Sequence, residues 1–437
     1  MQVKGDSGST ETDQPTILFF GARAEGHHSE YARHLAQYAA GRPELGHLHF
    51  VYPDSISQYG PAAVEAIRRE PHCHLHELSR GEEKRIEAAS LLRRSFVEWD
   101  VAAQYVRHID ADHCVLLELN VFQVALGLPR GKFNTDVTGI LFFPYPRLEA
   151  EGNTLLDRLS CRVEKARKHL QLRWMLRNRN VNTVFLLNDR ASAKYLNQFW
   201  PSRRPFSMLP DPVPSLGEKQ EGEGAERSSV EGVVQDQSST REAALREGGT
   251  ERFVFLMFGA LRTEKGVLEV GEAFKRLDST IAKQATLCLF GKVRPDLEDE
   301  FPGLVASLRR AQPDLRLRID DRFLPEEELH RALQEADVVL APYLQAEGSS
   351  GVIGHAARYR TPVIGPNAGL VGALIERYDL GTRVDASRPD AIAEAVQDYV
   401  RGTRSLCGTA GMQTYVEERT PARFAETIFD AVLGEEH

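Results

Sequence analysis

At 437 residues the chain is too long for one ordinary core, so two domains of roughly 200 residues each are expected, and 42% hydrophobic with 27% charged residues excludes a disordered or fibrous protein. A formal net charge of −9 argues against nonspecific nucleic-acid binding. No apolar run reaches the roughly 20 residues of a membrane span, and the start MQVKGDSGSTETDQP lacks the apolar centre of a secretory signal, so a cytoplasmic protein is expected.

After a polar tail, residues 1–15, apolar runs alternate with helical patterns: TILFF, a helix through SEYARHLAQYAA, LHFVY, and a helix through AAVEAIRRE. Such alternation predicts βα units and a largely parallel sheet. HCHLHEL follows, with His72, His74 and His76 on one side if it is a strand. Neighbouring ligands on one flat strand diverge, so a solvated edge strand is expected there rather than a zinc site. Further strands are read at HCVLLEL, TGILFFP and NTVFLLN, and the first half, residues 16–215, closes at FSMLPDPVP, where three prolines stop regular structure. Five scattered cysteines fit reduced thiols better than a disulfide framework.

Between two of these strands, CRVEKARKHLQLRWMLRNR (161–179) carries seven Lys or Arg against one Glu, with Val163, Ala166, Leu170 and Trp174 at helical spacing. The alternatives are a helix that buries one face and solvates the other, and a helix that docks on anionic lipid or a lipid-linked acceptor.

Residues 216–250 contain no aromatic side chain and are rich in Glu, Gly, Ser and Gln; they cannot bury enough apolar area to offset their ordering entropy, and read as a flexible linker. Alternation resumes over 251–437 with RFVFLMFG, ATLCLFG, LRLRI, DVVLAPY and PVIG, separated by helices. The fold class expected is therefore α/β, two doubly wound Rossmann-like domains facing a cleft, with ligands outside the carboxyl ends of the strands. The last helix, PARFAETIFDAVL, is a candidate to pack across both halves.

Gly348, Ser349, Ser350 and Gly351 stand between the strand DVVLAPY and a helix beginning near Val352. A helix start offers unpaired N–H groups and partial positive charge, and small residues let an anion approach it closely, so phosphate is the natural guest. An ordinary capped strand-to-helix turn fits the same residues equally well. MFGALRTEKGVLEV places Gly259 at a strand end and then Arg262, Lys265 and Gly266 before a helix. If both strand ends share one rim, the two cations come near the Ser/Gly helix start and could neutralise a diphosphate; singly, each is better read as part of a solvated turn.

Together FGALRTEKGVLEVGEAF and ADVVLAPYLQAEGSSGVIGHAARYRTPVIGPNAGL resemble the GT-B glycosyltransferases of the large retaining family four, in the branch with a serine-glycine-valine turn. The resemblance is strong over Phe253 to Asp385 and weaker, through GHHSEYARHLA and LPDPV, in the first half. It implies a hexosyltransferase that uses a nucleotide-diphosphate sugar, retains configuration, and needs neither metal nor cofactor.

Arg262 and Lys265 would hold the donor diphosphate, while Gly259, Ser349, Ser350, Gly351 and Val352 would line it. Glu347 would face the donor sugar. The second carboxylate of the family's motif falls on His355, the arginine after the first glycine is Ala260, and a glutamate beyond Gly369 is Ala373. Those departures keep a non-catalytic binding subunit open as an alternative, beside a nucleotide-sugar epimerase of the same fold.

Lys292 and Arg294, in FGKVRPD, are placed where a strand end could border the base. In the first half the loop Gly21 to Gly26 leads to His27 and His28 at a helix start; His27 is a catalytic candidate and Gly26 and His28 an acceptor loop, with a capping histidine pair as the equal alternative. The acceptor expected is a glycan, a lipid-linked molecule or a small molecule, with peripheral contact at the inner membrane face as one option.

Overall fold

A computed structural model of the chain describes residues 14–128, 134–148, 154–213, 252–404 and 409–434. The expected polar tail, apart from its last two residues, and the expected linker over 216–250 lie outside the described residues. The chain divides into two compact units: one draws on Met1–Pro146, Ala150–Leu209 and Ala422–His437, the other on Arg147–Glu149 and Pro210–Pro421.

The first unit is built on β1 (Thr16–Phe20), β2 (His47–Tyr52), β3 (Cys73–Glu77), β4 (His113–Leu116), β5 (Asp136–Leu141), β6 (Val181–Leu187) and β7 (Phe206–Leu209). They form one sheet in the order β3-β2-β1-β4-β5-β6-β7, and every pairing is parallel. Parallel strands are covered on both faces, which is why TILFF carries no alternating polar residue. The order reverses between β1 and β4, where Phe20 lies opposite Leu116. Loops leaving these two strands therefore part to opposite sides and open a crevice at their carboxyl ends.

FSMLPDPVP departs from its reading: its first half is β7, paired with β6 from Val184↔Phe206 to Leu187↔Leu209. The prolines act only beyond Leu209, because a proline cannot donate to a ladder but does nothing to the residues three or four positions before it. The closing helix Pro421–Leu433 contributes Phe424, Ile428 and Phe429 to the core formed by Ile17, Phe19 and Phe50. Phe429 meets Phe19 edge-on, with ring centroids 5.8 Å apart.

HCHLHEL is the edge strand, and it is only partly solvated. His74 and His76 are half-buried against His49 of the neighbouring strand, with a 2.9 Å contact between His49 Nδ1 and His76 Nε2. Burial, then the proximity of His74, His76 and His47, holds His49 down to about 4, so His49 packs as a neutral ring. His72 is buried just before the strand. Among the described residues no group of three or more His, Cys, Asp or Glu is arranged to hold a metal ion. Cys73, Cys114 and Cys288 are buried free thiols.

The second unit repeats the plan with β8 (Phe253–Phe258), β9 (Ala285–Phe290), β10 (Arg316–Asp320), β11 (Val338–Leu340), β12 (Val363–Pro366) and β13 (Gly381–Val384). Their order is β10-β9-β8-β11-β12-β13, again parallel, and it reverses between β8 and β11. ATLCLF is buried at every position, as a central strand demands.

Candidate functional site

The strongest constellation in the second unit lies at that reversal. After β8 the chain enters Gly259 with φ at +94°, a conformation that suits glycine, and its N–H donates to the Phe290 carbonyl at 3.0 Å. Leu261 then pairs with Val293, and a tight turn Thr263–Lys265 leads through Gly266 into the helix Val267–Lys275. Gly266 has φ +77°, and a Cβ there would sit 2.2 Å from the Pro342 carbonyl oxygen. The turn is therefore clamped on the loop that leaves β11, and Leu344 N–H adds a 2.9 Å bond to the Glu264 carbonyl.

That clamp sets Lys265. Its Nζ lies 4.0 Å from the centroid of the Tyr343 ring, and the Tyr343 hydroxyl is 3.0 Å from Ser350 Oγ. Among the described residues no carboxylate comes within ion-pair distance of Lys265. Ser350, buried, precedes the helix Gly351–Arg358 in extended conformation, and its hydroxyl faces Tyr343 rather than capping the helix. Among the described residues no acceptor engages the N–H groups of Gly351 and Val352, as the geometry of a first helical turn requires.

Other sequence candidates fall around this pair with different surroundings. Arg262 does not extend toward Ser350 through any hydrogen bond; its Nη1 donates to Glu264 at 2.9 Å and its Nε is 4.0 Å from Asp296. Part of its charge is thereby offset. Its Nε–H and that of Arg294 are nevertheless buried without a hydrogen-bond acceptor among the described residues. Lys292 pairs with Asp321 at 3.3 Å. Ser349 Oγ donates to Asp211 at 2.6 Å, so its hydroxyl holds the loop in place.

Glu347 is half-buried beside Ala346, whose carbonyl accepts the N–H groups of Leu370 and Val371 at 2.7 and 3.2 Å. Gly369, with φ +68°, permits this approach, since a Cβ would lie 2.4 Å from that same oxygen. His355 stands edge-on to Phe258, and burial, with His330 nearby, pushes it down to about 4. It is a neutral imidazole at pH 7, able to donate through one nitrogen and accept through the other. Ala373 is half-buried on the helix Gly369–Tyr378.

In the first unit a smaller cluster marks the β1/β4 reversal. Gly26 precedes the helix His27–Ala39, and its φ of +63° is open to glycine. His27 lies tilted against Phe142, with centroids 4.8 Å apart. His28 is buried, with Nε2 3.8 Å from Glu118, and Arg23 approaches the same carboxylate oxygen at 3.6 Å. Burial, and then His27 and Arg23, hold His28 down to about 3, while burial raises Glu118. His28 is thus a neutral neighbour of Glu118, and Arg23 carries the compensating charge. A cavity of about 120 Å³ opens on the same side, lined by Asn120, Gln123, Tyr145, Lys168 and Gln171.

Two residues that matter here were given no site role from the sequence. Tyr343 joins Lys265 to Ser350, and its signal was a tyrosine directly after the strand DVVLAP; Glu118 is the carboxylate of HCVLLEL, two positions beyond the end of β4.

Residues 252–401 match the family described as "Glycosyl transferases group 1". No curated protein matches the chain. Among solved structures, the Candida albicans trehalose-6-phosphate phosphatase N-terminal domain is similar with a TM-score of 0.62 at 10% identity, covering 100% of this chain and 99% of its own. Sucrose-phosphate synthase from Thermosynechococcus elongatus has TM-score 0.62 at 14% identity, covering 97% and 100%. Anabaena HepE, solved in complex with UDP, has TM-score 0.60 at 15% identity, covering 96% and 100%. These likenesses establish a two-domain α/β fold of GT-B type.

Proposed function

We propose that the protein is a glycosyltransferase that moves a hexosyl group from a nucleotide-diphosphate sugar to an acceptor hydroxyl with retention, the second unit binding the donor and the first the acceptor. The observation that carries this reading is the chain Lys265–Tyr343–Ser350, which joins a cation with no carboxylate partner among the described residues to a helix start at the β8/β11 reversal. It lies within the stretch that matches a glycosyltransferase family, and a structural neighbour was solved with UDP.

In this reading the bond from the anomeric carbon to the diphosphate oxygen breaks first, and the charge that gathers on the leaving oxygen is met by Lys265 and the N–H groups of Gly351 and Val352. Fixed donors aimed at a developing anion are the largest single term available to such a site. Arg262 and Arg294, whose Nε–H groups find no acceptor among the described residues, would complete their hydrogen bonds on phosphate. The acceptor oxygen then bonds to the anomeric carbon, and its proton passes to the departing phosphate. The positive groups and the helix start take the place of a metal ion. Glu347 faces the sugar, neutral His355 hydrogen-bonds the ribose, and Lys292 borders the base. In the first unit Gly26, His27 and His28, with Arg23 and Glu118, contact the acceptor.

The non-catalytic reading draws on His355, Ala260 and Ala373. Incubation with UDP-, GDP- and ADP-sugars, with free nucleoside diphosphate and sugar products both measured, separates the cases. Nucleoside diphosphate with hydrolysed or transferred sugar supports the proposal. An isomeric sugar indicates an epimerase, and binding without turnover indicates the non-catalytic protein.

A further inference from the structure

The helix Leu155–Met175 of the first unit is apolar on two opposite sides. Its inner side buries Leu172 and Met175, and near its end Trp174 Nε1 donates to the Val124 carbonyl at 3.1 Å. On the outer side Leu155, Leu156, Leu159, Val163 and Leu170 are 84%, 77%, 57%, 61% and 63% exposed. At 3.6 residues per turn these five fall within one stripe about 100° wide. Single exposed leucines need no explanation, but four leucines and a valine aligned along one helix do.

Charge indicates what covers the stripe. The helix carries six basic residues, Arg158, Arg162, Lys165, Arg167, Lys168 and Arg173, against Asp157 and Glu164, in a chain whose net charge is −9. Both acids are locally engaged: Asp157 forms a capping box with Thr154, and Glu164 lies 3.4 Å from Arg167 and 3.5 Å from Lys168. Arg158 and Arg162 border the stripe on one edge and Arg167 on the other. Two copies of this chain meeting through the stripe would bring these cations together, whereas an anionic surface would pair them. No helix among the described residues is long and apolar enough to cross a bilayer, so the geometry is that of a helix lying in an interface.

We propose that Leu155–Met175 docks the protein on an anionic membrane surface, its leucines and Val163 in the acyl boundary and its arginines at the lipid phosphates. From Leu155 to Leu170 the stripe gives a contact line about 23 Å long. The proposal stands independently of sugar transfer.

The test is flotation of the full chain with vesicles of phosphatidylcholine alone and of phosphatidylcholine with 30% phosphatidylglycerol, beside light scattering in solution. Wild type should float only with the anionic vesicles. The triple variant Leu156→Glu, Leu159→Glu, Val163→Glu should lose at least tenfold in partitioning, and Arg158→Glu, Arg162→Glu, Arg167→Glu about 100-fold, with unchanged melting temperatures because all six side chains are on the surface. Absence of wild-type binding to anionic vesicles, or equal binding by both variants, would overturn the proposal. So would a wild-type dimer that the apolar triple variant dissociates, which would give the stripe to a second copy.

Discussion

Lys265 Nζ sits 4.0 Å above the ring of Tyr343, whose hydroxyl reaches Ser350. The aromatic face steadies the ammonium without neutralising it, whereas a carboxylate there would compete with any bound anion. Lys265→Ala should therefore lower turnover by roughly 10² to 10³, the usual effect of removing one fixed donor to a developing anion. Tyr343→Phe keeps the ring and loses only the contact to Ser350, so a loss nearer tenfold is expected. Single-turnover release of nucleoside diphosphate by both variants checks this order.

The clamp that places Lys265 depends on a glycine. A methyl group on Gly266 would meet the Pro342 oxygen at 2.2 Å in a backbone of φ +77°. Gly266→Ala should cost on the order of 2 kcal/mol or more in urea unfolding. Gly303, inside the helix Phe301–Ala311 with nothing within 4 Å of its Cβ position, is the control. There alanine should stabilise by about 0.5 to 1 kcal/mol.

Acid should destabilise the first unit through buried imidazoles. Burial holds His28 and His34 each down to about 3, while an unfolded chain protonates them near 6.5. Between those values the unfolded state binds protons that the folded state refuses, so stability present above pH 6.5 is lost as pH falls toward 3. The loss approaches 1.4 kcal/mol per pH unit for each histidine. In His34→Gln the slope of unfolding free energy between pH 6 and pH 4 should flatten by about one proton, as measured by urea titration at several pH values.

The closing helix is bound to the first core through Phe429, which is 1% exposed. Phe429→Ala removes a ring that packs on Phe19, and a cost of about 3 to 5 kcal/mol is expected in thermal or urea unfolding.

Much of this architecture was legible because central parallel strands are continuous apolar runs: TILFF, RFVFLMFG and ATLCLFG each became a strand. β13, GTRV, escaped because an edge strand with an exposed Arg383 has no such run. The helix Leu91–Ile109 was missed as well, although its apolar positions recur at helical spacing. The glycines after β8 were readable as a turn leading into a helix because backbone conformation is a local property. Tyr343 was not, since a side chain that bridges two loops shows its purpose only when both loops are in place. The solvated reading of His74 and His76 held only in part for the same reason: the imidazole of β2 that packs on them lies about 25 residues away in sequence.

The most direct measurement is the melting temperature of wild type and Lys265→Ala with UDP, GDP and ADP, each set beside its nucleoside. A ligand at 100 times its dissociation constant stabilises by about 2.7 kcal/mol. At least one diphosphate should raise the wild-type melting temperature more than its nucleoside does, and Lys265→Ala should abolish that difference. Equal shifts by diphosphate and nucleoside in wild type, or a difference that survives in the variant, would contradict a diphosphate held by Lys265.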